Sequence, residues 1–91
     1  MIKSYQLIIT GRVQGVFYRA SMRDTARELG VTGFVKNKVD GSVYAEIEGK
    51  EEILDKIIEW AKRGPGGAKV EEVKVIGQSN KAFMGFEIRR D

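Results

Sequence analysis

The chain has 91 residues and a net charge of +3, with 16 Lys and Arg residues against 13 Asp and Glu residues. This length fits a single domain over residues 1–91, and the mild basic excess favours small anions without indicating a nucleic-acid binder. The sequence contains neither cysteine nor histidine, which excludes disulfides, thiolate nucleophiles, imidazole bases and Cys/His zinc sites. Any catalysis must therefore use other side chains or the backbone.

No apolar run in the sequence approaches the ~20 residues needed to cross a bilayer. From Met1 the sequence leads directly into a strand pattern, without the apolar region and cleavage site of a signal peptide. We therefore expect a cytoplasmic protein that does not enter a membrane.

The first third of the sequence has a strand pattern, a loop and a helix pattern. Apolar and polar positions alternate over residues 3–10, as in a strand. A glycine-containing loop, Gly11–Arg19, follows this strand. Ser21 and Asp24 then predict the start of a helix, which we expect to end near Gly30.

The remainder of the sequence predicts two strands, a helix and two more strands. In chain order these elements cover about residues 33–37, 43–48, 51–63, 70–75 and 84–89. Asp40 and Gly41 predict a hairpin turn between the first two of these strands. The alternation slips after Val70, which predicts a bulge. Glu46 and Glu48 are expected on an open face of the sheet, away from the helices.

The order β-α-β-β-α-β, with an extra C-terminal strand, predicts an α+β, ferredoxin-like sandwich. Because each helix has one apolar side, both helices are expected on the same face of an antiparallel sheet. This fold carries many unrelated functions, so function must be argued from particular residues.

The loop Gly11–Arg19 has the chemistry of an anion site. Its glycines permit unusual backbone conformations, and N–H groups curled ahead of a helix form an anion-binding concavity. The Arg19 guanidinium can donate two hydrogen bonds to one phosphate, although the Gly-Lys-Ser/Thr ending of a nucleotide P-loop is absent. The alternative is an ordinary connection, with Arg19 in a surface salt bridge. In either case we expect Phe17 and Tyr18 to wedge the loop against the core.

Asn37 ends the second predicted strand, just before the hairpin turn. Asparagine is common near turns because its side chain bonds to the nearby backbone. Alternatively, its amide holds a water molecule or a substrate oxygen. The first two strands of this fold flank the crossover helix, so their ends can bring Asn37 toward the glycine-containing loop.

The sequence resembles the acylphosphatase family in two segments. The first segment is Ile9-x-Gly11-x-Val13-Gln14-Gly15-Val16-x-Tyr18-Arg19. The second is Gly33-Phe34-Val35-Lys36-Asn37-x-x-x-Gly41-x-Val43, with Gly49 further on. The segments occur in the expected order, and chain length and element order agree. The resemblance therefore covers essentially the whole chain.

This resemblance implies a hydrolase that cleaves the carboxyl-phosphate bond of acyl phosphates. In the family, loop N–H groups and an arginine bind the phosphate, and an asparagine orients the attacking water. Carried over, this makes Arg19 and Asn37 the catalytic residues. The implied phosphate-binding residues are Val13, Gln14, Gly15, Val16, Phe17, Tyr18 and Arg19. The chain departs from the family at Tyr18, where phenylalanine is more usual, and at Lys38, where a small hydroxyl residue is often found.

Hydrolysis of an acyl phosphate can proceed with these residues alone. A carboxylate leaves without a general acid because the pKa of its acid is only about 4. Phosphoryl transfer then depends on positioning and electrostatic stabilisation. We expect no metal or cofactor, a small acyl phosphate as substrate, inorganic phosphate as product and inhibitor, and a monomer.

Two other functions fit the sequence less well. One is a non-catalytic ferredoxin-like module that binds a small anion or a partner protein. The other is a nucleic-acid binder, which would carry aromatic and basic residues on its central strands. Tyr44 is the main exposed aromatic candidate on the sheet, and acidic residues follow it. We therefore expect no nucleic-acid partner.

Overall fold

The computed structural model of the chain describes residues 1–90. Its elements are β1 (Ile2–Arg12), α1 (Tyr18–Leu29), β2 (Thr32–Asn37), β3 (Val43–Lys50), α2 (Glu51–Arg63), β4 (Lys69–Gln78) and β5 (Phe86–Arg89). The predicted order β-α-β-β-α-β with an additional C-terminal strand is confirmed. Neither helix in this part of the chain is long and apolar enough to cross a membrane.

The five strands form one sheet in the order β4-β1-β3-β2-β5. The pairs β4–β1, β1–β3 and β3–β2 are antiparallel, as predicted, and β5 joins the edge parallel to β2. Both helices pack on one face, which gives the ferredoxin-like fold. Because β3 lies between β1 and β2, those two strands are about 10 Å apart, or two strand spacings.

The core lies between the helices and the sheet. Apolar residues at helical spacing point from each helix toward the alternating inward positions of β1, β2 and β3. Burying a large apolar side chain stabilises the fold by about 1.5–3 kcal/mol, so this interface dominates stability. The side chains with no exposed surface include Leu7, Ile9, Met22, Ala26, Val35, Ala45, Ile47, Leu54, Ile57 and Ala61.

A bulge interrupts the pairing of β1 with β4 near the end of β1. Thr10 faces Glu72 and Gly11 faces Val70, which leaves Glu71 as the extra residue. Gly11 has a φ of +119°, and a Cβ atom there would lie 2.2 Å from the Lys69 carbonyl oxygen. The irregularity predicted after Val70 is therefore confirmed. Only glycine allows the two backbones to approach so closely.

Two local predictions about the sheet are wrong. Met84 lies outside the last strand, which begins at Phe86, and its side chain is fully exposed. Glu48 lies on the face away from the helices but is buried, because its carboxylate accepts hydrogen bonds from the N–H groups of Lys81 (2.6 Å) and Ala82 (2.9 Å). The β4–β5 connection therefore covers part of the sheet face that was expected to be open.

Candidate active site

A cavity of about 320 Å³ opens where the ends of β1 and β2 meet the start of α1. Most of the residues predicted to form the site line this cavity: Val13, Gly15, Phe17, Tyr18, Arg19 and Asn37. Gln14 and Val16 belong to the same loop but do not line it. The structure therefore brings the loop, Arg19 and Asn37 together, as the strand topology suggested.

The β1–α1 loop, residues 13–17, has a curled backbone. Gly15 has a φ of +73°, and a Cβ atom at this position would meet only open space, so its backbone conformation alone favours glycine. Phe17 is also left-handed, with a φ of 61° and a ψ of 25°. Among residues 1–90, no backbone or side-chain atom accepts a hydrogen bond from the backbone N–H groups of residues 13–17. Such unengaged N–H groups at a left-handed bend are typical of an anion-binding nest.

The predicted start of α1 at Ser21 is wrong. The helix begins at Tyr18, after the left-handed residue Phe17, with no side-chain cap. The Ser21 N–H donates to the Phe17 carbonyl oxygen at 3.0 Å, so Ser21 already lies within the first turn. Arg19 is therefore on the first turn of the helix. This turn contains no acidic residue to offset the positive end of the helix dipole.

The two aromatic residues at the end of the loop point in different directions. Phe17 is 82% exposed, so the prediction that it wedges against the core is wrong. Tyr18 is buried, as predicted, and its hydroxyl donates to the Ala61 carbonyl oxygen at 2.7 Å. Its ring also contacts Trp60, with 5.2 Å between centroids. Burial raises the pKa of Tyr18 well above its usual value. Tyr18 thus attaches the loop to the last turns of α2.

Arg19 and Asn37 both have polar groups without a partner among residues 1–90. The Arg19 guanidinium makes no ion pair or hydrogen bond with another residue in the described range, so the surface salt bridge of the alternative interpretation is not observed there. The Asn37 Oδ1 atom is buried and accepts no hydrogen bond from residues 1–90. An unpaired buried polar atom costs about 1–3 kcal/mol, which makes Asn37 a candidate for binding something in the cavity.

The side chain of Gln14 makes a contact that sequence reasoning missed. Its Nε2 atom donates to the carbonyl oxygens of Lys38 (2.8 Å) and Ser42 (2.9 Å), which belong to the β2–β3 turn, residues 38–42. Lys38 lies 24 residues after Gln14, and no sequence pattern signals a contact over that distance.

The cavity is positively charged. Ile88 and Arg90 line it together with the predicted residues, so a second guanidinium lies near Arg19. None of the described residues that line the cavity is acidic. In the part of the chain that the structure describes, no group of three or more Asp or Glu side chains is placed to hold a metal ion. The fold and the site thus define a small α+β sandwich with a positively charged pocket at one end of its sheet.

Comparison with known proteins agrees with this description. The sequence model of the acylphosphatase family matches residues 5–88. The chain is 45% identical over 86 residues to the acylphosphatase of Albidiferax ferrireducens, covering 94% of this chain and 92% of that protein. It is 49% identical over 84 residues to the acylphosphatase of Haloquadratum walsbyi, covering 92% and 90% of the two chains.

A solved structure shows the same fold. The crystal structure of the acylphosphatase from Bacillus subtilis matches with a TM-score of 0.93 and 34% identity, covering 98% of this chain and 99% of that one. The chain therefore belongs to the acylphosphatase family, and its enzyme class is that of a hydrolase. The resemblance seen in the two sequence segments is confirmed.

Proposed function

We propose that this protein hydrolyses acyl phosphates, with the phosphate bound by Arg19 and the backbone N–H groups of residues 13–19, and with the attacking water oriented by Asn37. The observation that carries the proposal is that the backbone N–H groups of residues 13–17 have no acceptor among residues 1–90, while Val13, Gly15 and Phe17 of this loop line one cavity with Arg19 and Asn37. Membership of the family is shown by the comparisons, and the proposal adds the roles of individual residues.

Phosphate binding is the task of the β1–α1 loop. Phosphoryl transfer to water places negative charge on the equatorial phosphate oxygens in the transition state. Preorganised N–H donors and the Arg19 guanidinium stabilise that charge without rearranging, and the helix dipole of α1 adds to their effect. Arginine suits this role because its planar group can donate two hydrogen bonds to one phosphate.

Water positioning is the task of Asn37. Its unpaired Oδ1 atom can accept a hydrogen bond from a water molecule and hold it in line with the phosphorus atom. The water oxygen then forms a bond to phosphorus while the bond from phosphorus to the acyl oxygen breaks. The bonding electrons leave with the carboxylate, and a phosphate oxygen takes the water proton.

This reaction uses no metal and no cofactor. The carboxylate leaves unprotonated, since its conjugate acid has a pKa of only about 4. No general acid is therefore needed, in agreement with a cavity whose described lining contains no carboxyl group. Inorganic phosphate is both product and competitive inhibitor. We further propose that the protein acts as a cytoplasmic monomer, without a nucleic-acid or membrane partner.

Hydrolysis of benzoyl phosphate in excess EDTA tests the proposal. We expect full activity in EDTA and competitive inhibition by inorganic phosphate. Phosphate binding without turnover would contradict the enzymatic assignment and favour the alternative, a non-catalytic ferredoxin-like anion-binding module. Activity that disappears in EDTA and returns with a divalent metal ion would contradict the metal-independent mechanism.

A further inference from the structure

We infer that Gln14 is a positioning residue, whose side-chain amide fixes the distance between the β1–α1 loop and Asn37. The inference rests on the proposed function, because it gives Gln14 its effect through the water-orienting role of Asn37. It goes beyond that function in assigning a task to the side chain of Gln14, which does not line the cavity.

The sheet topology creates the need for such a residue. The loop follows β1 and Asn37 ends β2, and these strands are separated by β3. No strand pairing joins β1 to β2 directly, so the two halves of the site meet across about 10 Å of sheet. A misplacement of about 1 Å at a reacting centre can lower a rate by about 10²-fold.

The Gln14 amide spans this gap. Its two N–H bonds point to the carbonyl oxygens of Lys38, the residue after Asn37, and Ser42, the residue before β3. Only the amide nitrogen can make both contacts, since carbonyl oxygens accept hydrogen bonds and do not donate them. Gln14 therefore attaches the loop to the turn that directly follows Asn37, the last residue of β2.

The β2–β3 turn is rigid enough to transmit this constraint. The Lys38 N–H donates to the Ser42 carbonyl oxygen at 2.9 Å, and the Gly41 N–H donates to the Lys38 carbonyl oxygen at 3.2 Å. The Asp40 carboxylate accepts from both the N–H (2.9 Å) and the hydroxyl (2.6 Å) of Ser42. Because these bonds close the turn on itself, holding two of its carbonyl groups holds the whole turn and, with it, Asn37.

This arrangement separates the effect of Gln14 on turnover from its effect on phosphate binding. In the proposed function the phosphate is bound by the loop N–H groups and Arg19, and these are anchored by the Tyr18 contact with α2 and by helix α1 rather than by the turn. Loss of the Gln14 contacts should instead misplace Asn37 and the water it holds. We therefore expect a lower kcat with a nearly unchanged inhibition constant for phosphate.

The first experiment compares Gln14→Met with Gln6→Met. Methionine keeps the length of the side chain and removes both N–H donors. Gln6 is a matched control because its Nε2 atom donates to Gln78 on the neighbouring strand β4 and does not line the cavity. We expect Gln14→Met to lower kcat for benzoyl phosphate about 10-fold, less than a full 1 Å misplacement would. Gln6→Met should retain the original kcat, and circular dichroism should show both variants folded.

A double-mutant cycle with Asn37→Ala tests the positioning role itself. If Gln14 acts through Asn37, adding Gln14→Met to Asn37→Ala should change kcat by less than about twofold, since the group it positions is gone. An equal loss of kcat with and without Asn37 would overturn the inference while leaving the proposed function intact. So would a loss of phosphate affinity in Gln14→Met as large as its loss of kcat. A normal kcat in the single variant Asn37→Ala would contradict both the positioning role of Gln14 and the proposed function.

Discussion

The β1–α1 loop and the β2–β3 turn are joined by the Gln14 side chain but satisfy their backbone groups in opposite ways. In the turn, Lys38, Gly41 and Ser42 hydrogen-bond to one another, and the Asp40 side chain closes the structure. In the loop, the backbone N–H groups of residues 13–17 have no acceptor among the described residues. The turn is therefore complete on its own, whereas the loop leaves its donors available.

This difference shows why the loop needs contacts from neighbouring segments and the turn does not. A loop whose donors all face a ligand cannot use them to hold its own shape, so its shape must be set by its neighbours. Tyr18 anchors one end of the loop on α2. Gln14 holds the turn, which keeps its own shape, in place relative to that loop. The loop is therefore the part with donors left for the phosphate that we propose it binds.

Arg19→Ala should have the largest effect. We expect kcat/KM for benzoyl phosphate to fall about 10³-fold or more, because the charge on the transferred phosphoryl group loses its guanidinium. Arg19→Lys should recover only part of the loss, since an ammonium cannot donate two hydrogen bonds in a planar fork. Arg23→Ala is the matched control on the same helix, where Arg23 pairs with exposed Asp24. A folded Arg19→Ala protein with normal turnover would remove Arg19 from the site.

Asn37→Ala should have the next largest effect. We expect kcat to fall about 10²–10³-fold, as for the loss of one well-placed polar group, with a smaller change in the inhibition constant for phosphate. Asn80→Ala is the control, because the Asn80 side chain contacts the Ile2 carbonyl oxygen and does not line the cavity. An unchanged kcat would return Asn37 to a purely turn-forming role.

A pair of glycine substitutions compares the loop and the turn directly. Gly15 and Gly41 both have positive φ, +73° and +93°, and a Cβ atom would meet nothing at either position. Alanine at each should cost about 1–2 kcal/mol of backbone strain. In Gly15→Ala we expect relaxation of the loop to raise the phosphate inhibition constant about 10-fold. Gly41→Ala should lower thermal stability and leave that constant unchanged. Equal inhibition constants in the two variants would show that loop curvature does not matter for binding.

Tyr18→Phe should affect stability rather than activity. It leaves the Ala61 carbonyl oxygen without its hydroxyl donor, and we expect the free energy of unfolding to fall by about 1 kcal/mol. Denaturant unfolding measures this loss, with Tyr5→Phe as control, because the Tyr5 hydroxyl has no hydrogen-bond partner in residues 1–90. A Tyr18→Phe protein as stable as the original would mean that the hydroxyl does not help to anchor the loop.

The smallest effect should come from Asp40, which is exposed. Its hydrogen bonds with Ser42, helped by the charge of Lys38, hold the pKa of the Asp40 carboxyl below its usual value. A pKa lower in the folded state stabilises the fold above the unfolded value of about 4 and stops doing so as the pH falls through the folded value. Asp40→Ala should therefore lower the Tm slightly at pH 7, and the Tm difference from the original protein should shrink as the pH falls below about 4. A Tm difference that stays constant as the pH falls would contradict this account of the turn.

The sequence predicts most of the fold because its elements depend on local periodicity. Alternating residues in β1 and helical spacing in α2 specify which faces are buried, and the order of elements then limits the topology. The parallel pairing of β5 and the burial of Glu48 were not predictable in this way. Both depend on the path of residues 79–85 over the sheet, which no repeating pattern encodes.

The site, too, has features that the sequence predicts and features that depend on contacts between distant segments. The glycines, Arg19 and Asn37 are recognisable as residue types that bind anions and water, and the resemblance to a family supports them. The start of α1 was misplaced because a left-handed Phe17 begins the helix without any side-chain cap, which overrides the signal from Ser21. The contacts of Gln14 and Tyr18 join distant segments, so only the folded chain reveals them.

The central claim is that the N–H groups of the β1–α1 loop bind the phosphate. A crystal structure of the protein grown with inorganic phosphate tests it most directly. The account predicts a phosphate ion within hydrogen-bond distance of N–H groups in residues 13–17 and of the Arg19 guanidinium, with the Asn37 Oδ1 atom facing it across the cavity. A phosphate ion bound elsewhere, with those N–H groups still without an acceptor, would contradict it.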